Sequence, residues 1–250
     1  MIDLHCHILP GVDDGARTLE DSVAMARTAV ADGILVVAAT PHVRDDYPTS
    51  SQTIQQRLAE VQEVLRNLGV ELEVRGGAEI AIDRLDQIDD DGLGRYGLGG
   101  NPSYLLLEFP YAGWPLALPS RVQALGARGV TAVLAHPERN AEVQAEPARL
   151  WPLLEEGALV QVTAASLDGR LGKGCRKAGL ALIDRGLAHL IASDAHGPGV
   201  RETSMSAAAA LVEDAALASW LTQEVPGAIV AGAPVPSRPP PRRRRRLRFL

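Results

Sequence analysis

Six histidines occur in the 250 residues, at positions 5, 7, 42, 136, 189 and 196. Five of them stand at or just past the ends of short apolar runs. Acids take equivalent places: Glu79, Glu108 and Asp194 at run ends, and Asp14 in the loop after His5 and His7. Imidazole beside carboxylate suits Zn, Mn or Fe, whereas structural zinc would ask for more thiolate than Cys6 and Cys175 provide. Nine donors exceed one ion's needs, so two or three metals sharing a bridging carboxylate is the natural reading. His189 falls within a run, away from its end, and is assigned to packing or a local hydrogen bond.

Such a cluster needs elements that bring distant run ends to one point. The runs cover 1–7, 34–40, 70–80, 104–109, 130–136, 158–163 and 188–193, each about the length of a buried strand. Helical patterns lie between them. Thr18 opens one, with Asp21 as a capping-box partner, Leu19, Val23, Ala26 and Val30 as its apolar stripe, and Gly33 at its end. Ile54, Leu58, Val61, Leu65 and Leu68 form the stripe of a second. Further helices are predicted over 116–128, 146–156, 173–186 and 203–221, and an irregular loop over 84–100. Strand and helix alternating seven times predicts a parallel α/β fold. Closure explains the clustered run ends, so the expectation is a distorted (β/α)7 TIM-like barrel with its site at the C-terminal ends of the strands. His5 and His7, two apart, then share one face.

The composition is that of a globular chain: 46% hydrophobic, 22% charged and only 4% aromatic. Collagenous, disulfide-scaffold and wholly disordered classes are excluded. The net charge of -6 averages two unlike parts. Seven of the 25 basic residues lie from Arg238 onward, where there is no acid, so residues 1–237 carry -13. The expected organisation is one domain over 1–232 and a flexible Pro/Arg-rich tail over 233–250. Two cysteines without a framework suit a reducing cytosol. The opening residues lack the pattern of a signal peptide, and no stretch is apolar enough to predict a transmembrane helix.

The blocks HCH (5–7), TPH (40–42), GAE (77–79), LLEFP (106–110), AHPER (135–139) and SDAH (193–196) resemble the polymerase and histidinol phosphatase (PHP) superfamily. MIDLHCHILPGVDDGA with AHPERN resembles a narrower branch, the bacterial metal-dependent protein-tyrosine phosphatases of capsule and exopolysaccharide synthesis. The resemblance spans about residues 1–200 and implies the PHP barrel with three divalent ions, Mn2+ first, with Fe, Zn or Co as alternatives. It assigns His5, His7, Glu79 and Asp194 to the first ion. The second takes Glu79 as bridge, Glu108 and His136; the third takes Asp14, His42 and His196. Arg139 and Arg201 match positions that hold the substrate phosphate, a role that forked guanidinium donors suit. Cys6 replaces the more usual Ser or Thr, and Val43 stands where many relatives carry a second His.

The implied reaction is hydrolysis of phosphotyrosine by metal-activated hydroxide attacking phosphorus in line with the departing phenolate. His42 is a candidate to assist as acid. The C-x5-R pattern of cysteine phosphatases is missing, because Val12 and Ala181 stand six residues after Cys6 and Cys175. Tyr111 and Trp114 are candidates to stack on the substrate ring. The implied partner is the phosphorylated tail of a bacterial tyrosine kinase, reached in the cytoplasm or at the membrane beside that kinase. The Arg-rich tail suits an anionic membrane surface and no nucleic acid is expected. The helix over 18–32 offers a route to a homo-oligomer, while burial against the barrel explains its apolar stripe equally well. The alternatives are a small-molecule phosphoesterase of the histidinol phosphatase kind and a basic-tailed scaffold.

Overall fold

The computed structural model describes residues 1–88, 90–199 and 201–240, apart from the side chains of Asp90 and Asp91. The seven apolar runs become nine strands. They are β1 (Ile2–Cys6), β2 (Val36–Ala39), β3 (His42–Val43), β4 (Glu73–Arg75), β5 (Glu79–Ala81), β6 (Tyr104–Glu108), β7 (Thr131–Ala135), β8 (Leu159–Thr163) and β9 (Leu190–Ala192). All pairings are parallel, in the orders β1-β2-β4 and β3-β5-β6-β7-β8-β9.

The two extra strands arise where runs 34–40 and 70–80 break at the same level. A Cβ on Gly77 would lie 3.2 Å from Thr40 Cγ2 and 3.4 Å from the Ala39 carbonyl, so a side chain there would make its neighbours give by a few tenths of an ångström. Pro41 follows, without a donor for the ladder; its carbonyl accepts from Glu79 N–H at 3.0 Å and restarts the pairing. At the far edge, Asp194 N–H donates to the His5 carbonyl (2.7 Å) and His7 N–H to the Ala195 carbonyl (2.8 Å). The last strand therefore lies beside the first, an arrangement compatible with the expected barrel. Leu105, Leu106 and Leu107 are all fully buried, as a strand covered on both faces requires.

Helices cover the outside. The helix Leu19–Ala31 is capped by Thr18, whose hydroxyl accepts from Asp21 N–H. Its buried face is Ser22, Met25, Ala26 and Ala29, which corrects the predicted stripe: Leu19 and Val23 are only half-buried and Val30 is exposed. On that face Ser22 satisfies its hydroxyl on the Ile8 carbonyl. The stripe of Ser51–Asn67 is buried at Ile54, Val61 and Leu65, while Leu68 is exposed.

Three further expectations are corrected. The predicted helix over 203–221 is broken: Met205–Ala210 stops, and Asp214 caps a new helix by accepting from Ala216 and Leu217 N–H. That helix continues to Ala231 through a π-helical turn at Trp220–Glu224. Stretch 146–156 divides into a 3-10 turn, Pro147–Leu150, and a short helix, Trp151–Glu155. Stretch 84–100 is partly ordered, with a 3-10 helix at Ile82–Gln87 and a turn of helix at Asp90–Gly94.

Beyond Gly232 the chain crosses the base of β9 as a strap. Val235 packs on the core, and Trp220 Nε1–H donates to the Pro236 carbonyl at 2.9 Å. Arg238 donates to the carbonyls of Ile183 (2.6 Å) and Ala188 (3.4 Å) and lies 5.7 Å above the Trp220 ring. Residues 233–238 thus touch the body. The arginine run itself falls within 241–250, outside the described residues.

His189 occupies the packing role expected of it. It sits 6.0 Å from the Trp220 ring, and its Nδ1 accepts from Val160 N–H. Burial, then the charge of Arg238, lowers its pKa from 6.5 to about 4. The unfolded chain would bind this proton first, so the contribution is complete above pH 6.5 and lost as pH falls toward 4. It amounts to at most about 3 kcal/mol. Urea unfolding across pH 4–7.5 should show a shallower acid loss for His189→Gln than for the wild type. Arg238→Ala should lower stability at pH 7 by about 1 kcal/mol, because it strips two carbonyls of their charged donor.

Candidate metal centre and active site

The strand ends place every expected ligand in one cluster. His5 Nε2 lies 3.2 Å from Glu79 Oε2 and 3.4 Å from Asp194 Oδ1. His7 Nε2 lies 3.4 and 3.5 Å from the same two oxygens. His136 Nε2 meets Glu79 Oε1 at 2.8 Å, and His42 Nδ1 meets Glu79 Oε2 at 3.1 Å. Asp14 Oδ1 stands 3.4 Å from both His42 Nε2 and His196 Nε2. Glu79 is therefore shared, as a bridging carboxylate must be.

Four overlapping donor groups result among the described residues. They are His7, Asp14, His42 and His196; His5, Glu79 and His136; His5, His7 and Asp194; and His42, Glu79 and Glu108. Glu108 gathers with His42 and Glu79 here, whereas the resemblance grouped it with His136.

The surroundings aim these donors inward. His5 Nδ1 is 3.0 Å from Gln161 Oε1, His7 Nδ1 is 2.7 Å from Asp13 Oδ2, and His196 Nδ1 is 2.9 Å from the Asp194 carbonyl. A ring that donates from Nδ1 turns its Nε2 lone pair toward the cluster, the arrangement metal-binding histidines favour. Several buried polar atoms remain without a hydrogen-bond partner: His42 Nδ1, Glu79 Oε2, His136 Nδ1 and His196 Nε2. Orphaned lone pairs at the centre of a buried carboxylate–imidazole set fit divalent ions.

The electrostatics divide the rings: three are held neutral, while against their burial the facing carboxylates raise His5 and, well above the usual range, His7. Burial holds His42 and His136 at about 4, the Arg139 charge adding to the effect at His136; burial and the neighbouring His7 lower His196 as well. These three rings are neutral, as ligands must be. Burial also acts on His5, but Glu79 and Asp194 outweigh it and raise its pKa. Glu79 is pulled well below the carboxylate range by His5 and the other rings despite its burial. Burial, then the charge of Glu79, pushes Glu108 up to about 7.

Two arginines converge on one oxygen. Arg139 Nη2 and Arg201 Nη1 both donate to Asp194 Oδ2, the latter at 3.0 Å, while Asp194 Oδ1 faces the histidines. An anion beside Asp194 would meet both guanidiniums. His136 (φ 40°) and Asp194 (φ 52°) adopt left-handed backbone, the described non-glycine residues that do so. Both are site residues, where such strain is commonly held.

Comparison with known proteins is informative at this point. The capsular polysaccharide synthesis family CpsB/CapC matches residues 1–223. This chain belongs to that family. The tyrosine-protein phosphatase YwqE of Bacillus subtilis is 38% identical over 203 residues, 80% of this chain and 79% of that protein. CpsB of Streptococcus pneumoniae, also named a tyrosine-protein phosphatase, is 26% identical over 83% of this chain and 88% of its own length. A crystal structure from work on YwqE and CpsB, described as unique metal-dependent tyrosine phosphatases, superposes with a TM-score of 0.87 at 33% identity. It covers 97% of this chain and all of that one.

The CpsB/CapC site includes residues that sequence reasoning passed over. Asp13 accepts from His7, from His42 N–H (3.0 Å) and from Gly15 N–H (2.9 Å). Gly15 is required there, since a Cβ would lie 2.2 Å from the His7 carbonyl. Gln161 Oε1 also accepts from His136 N–H. Glu138, fully buried, accepts from Ser166 Oγ (2.6 Å) and Thr163 N–H (3.1 Å) and ties the turn between His136 and Arg139 to β8. Arg44 donates to Glu108 Oε1 at 2.9 Å, and Tyr47 stacks 5.9 Å from His42. The adjacency of Asp13 to Asp14 was the one visible signal. Tyr111 keeps its expected place, exposed and 5.8 Å from His136. Trp114 does not: it packs on Phe109 (5.7 Å) and under Arg149 (5.9 Å). Cys6 is fully buried on the opposite strand face, and burial raises its thiol well above 9. It is no nucleophile.

Asp13→Ala should weaken binding of the ion that His7 serves by about 10–100-fold, read by titration with Mn2+, while Asp13→Asn keeps an acceptor and loses less.

Proposed function

We propose that this protein is a metal-dependent protein-tyrosine phosphatase acting on a bacterial tyrosine kinase of capsule or exopolysaccharide assembly, in a cytoplasmic compartment. The observation that carries the reading is the convergence of Arg139 and Arg201 on Asp194, beside a nine-donor cluster. The family's link to capsular polysaccharide synthesis and the naming of its relatives support the substrate class. Nitrogen and carboxylate donors without thiolate favour manganese, iron, zinc or cobalt, and the number of donors suits three ions.

Bound divalent ions would lower the pKa of a water and polarise the phosphoryl oxygens. The chain's own residues supply the rest. Arg139 and Arg201 leave Asp194 Oδ2 to receive the phosphate and neutralise charge spread over its oxygens. Glu138, holding the turn beneath Arg139, fixes where that guanidinium points. Tyr111 stands at the mouth to contact the substrate ring. His42, neutral and flanked by Asp14 and Glu79, suits a ligand better than a proton donor; phenolate, a good leaving group, lessens the need for one. A cavity of about 410 Å³ beside Asp14 and His196, edged by Arg17 and Pro198, gives the substrate an approach.

One preparation tests this. Metal content is measured alongside hydrolysis of a phosphotyrosine peptide and of histidinol phosphate. The expected result is bound divalent ions, preference for the peptide, and activity abolished by chelation and restored by Mn2+. Faster turnover of histidinol phosphate would instead assign a small-molecule phosphoesterase, and a metal-free, inactive protein would assign a scaffold. Arg139→Lys or Arg201→Lys should lower kcat/KM by about 100-fold through loss of bidentate phosphate contacts. Replacing both Cys6 and Cys175 by Ser should leave turnover within about threefold of the wild type, as expected when neither thiol takes part.

A further inference from the structure

The apolar stripe of Leu19–Ala31 is only partly covered: Ala26 is buried, Leu19 and Val23 are half-buried and Val30 is exposed. Leu19, Val23 and Ala24 join Val64 and Leu68 of the neighbouring helix Ser51–Asn67 to line a groove of about 420 Å³, edged by Glu20 and Arg27. Leu68 is 51% exposed. Of the large exposed apolar residues, Leu68 lines the groove. Charged neighbours interrupt such a surface when it only meets water; here the apolar residues are contiguous along a helix face.

The charges name the occupant. Glu20, Val23, Ala24 and Arg27 follow i, i+3, i+4, i+7 spacing and form one helical face. Neither Glu20 nor Arg27 makes an ion pair among the described residues; Glu20 turns only to its own cap at Thr18. Two copies of this helix laid antiparallel about a two-fold axis would bring Glu20 of each opposite Arg27 of the other. Val23 would then face Ala24, whose small side chain permits close approach. An acid at one end and a base at the other, with apolar residues between, is the self-complementary pattern an isologous interface requires. We infer that this flank binds a second copy of the same chain, with the helices Leu19–Ala31 paired antiparallel and Leu68 and Val64 closing over the partner's Leu19 and Val23. The arrangement leaves the metal centre free, since none of these residues is a ligand.

Sedimentation of the full chain over about 1–100 µM, the range in which modest interfaces assemble, reads the outcome. The wild type should dimerise. Arg27→Glu sets like charges opposite each other twice and should weaken dimerisation by about tenfold or more. Adding Glu20→Arg to it restores opposite charges only if each copy meets its own kind in this geometry, so E20R/R27E should return within about threefold of the wild type. Val23→Asp should leave a folded monomer with unchanged metal content. A wild-type monomer across the range overturns the inference. So does a dimer indifferent to both Arg27→Glu and Val23→Asp, which would use another face, or a failure of E20R/R27E to recover.

Discussion

Glu79 is the residue on which the rest of the arrangement turns. Its two oxygens meet His5, His7, His42 and His136, which come from β1, β3 and the end of β7. The carboxylate is nearly inaccessible to water, so its charge must be answered by cations or protons within the protein. Removing one partner of a buried pair costs about 3–5 kcal/mol, because the other charge is stranded. Sheet geometry is what makes the answer available: parallel strands deliver their C-terminal residues to one rim, and β5 sits between β3 and β6. The site and the order of the strands are consequences of the same constraint.

That constraint explains where the backbone departs from regularity. His136 and Asp194, both just past a strand end, take up left-handed backbone where the chain leaves the ladders. Each turn is then held by buried hydrogen bonds. Glu138 ties the first to Thr163 and Ser166. Ser193, through Asp3, ties the second to β1. The burial of Asp3 and Glu138 raises the pKa of both carboxyls, an unfavourable placement unless the positions they fix matter. Both lie within two residues of a donor of the cluster or of Arg139, which is where such expense is useful.

The strand ends and their histidines were legible because a strand-length apolar run ending in a rare, ligating side chain is a local pattern. The breaks at 40–41 and 76–78 were less so: Gly76, Gly77 and Pro41 are visible, but the close approach of Gly77 to Thr40 is a contact between separate runs. Asp14 was named among the donors from the sequence, whereas only the fold gives its neighbour Asp13 to the His7 ring. Arg139 and Arg201 were named by resemblance alone; nothing in their spacing says they meet at Asp194. Trp114 was assigned by proximity to Glu108 along the chain, and the turn after Phe109 directs it elsewhere. Pattern within an element is readable, whereas which elements touch is a property of the whole.

The helix Leu19–Ala31 shows how the same logic can mislead and still inform. Hydrophobic size points to Leu19, Val23 and Val30 as its inner face. The face actually buried is Ser22, Met25, Ala26 and Ala29. Leu19 and Val23 are then only half-covered and Val30 is exposed, beside a helix whose own Leu68 is uncovered. A chain with an acidic body has ample charge to cover that flank. Instead, the charges Glu20 and Arg27 sit at its two edges with opposite sign. Solubility alone is indifferent to their order; a surface that must meet its own copy is not.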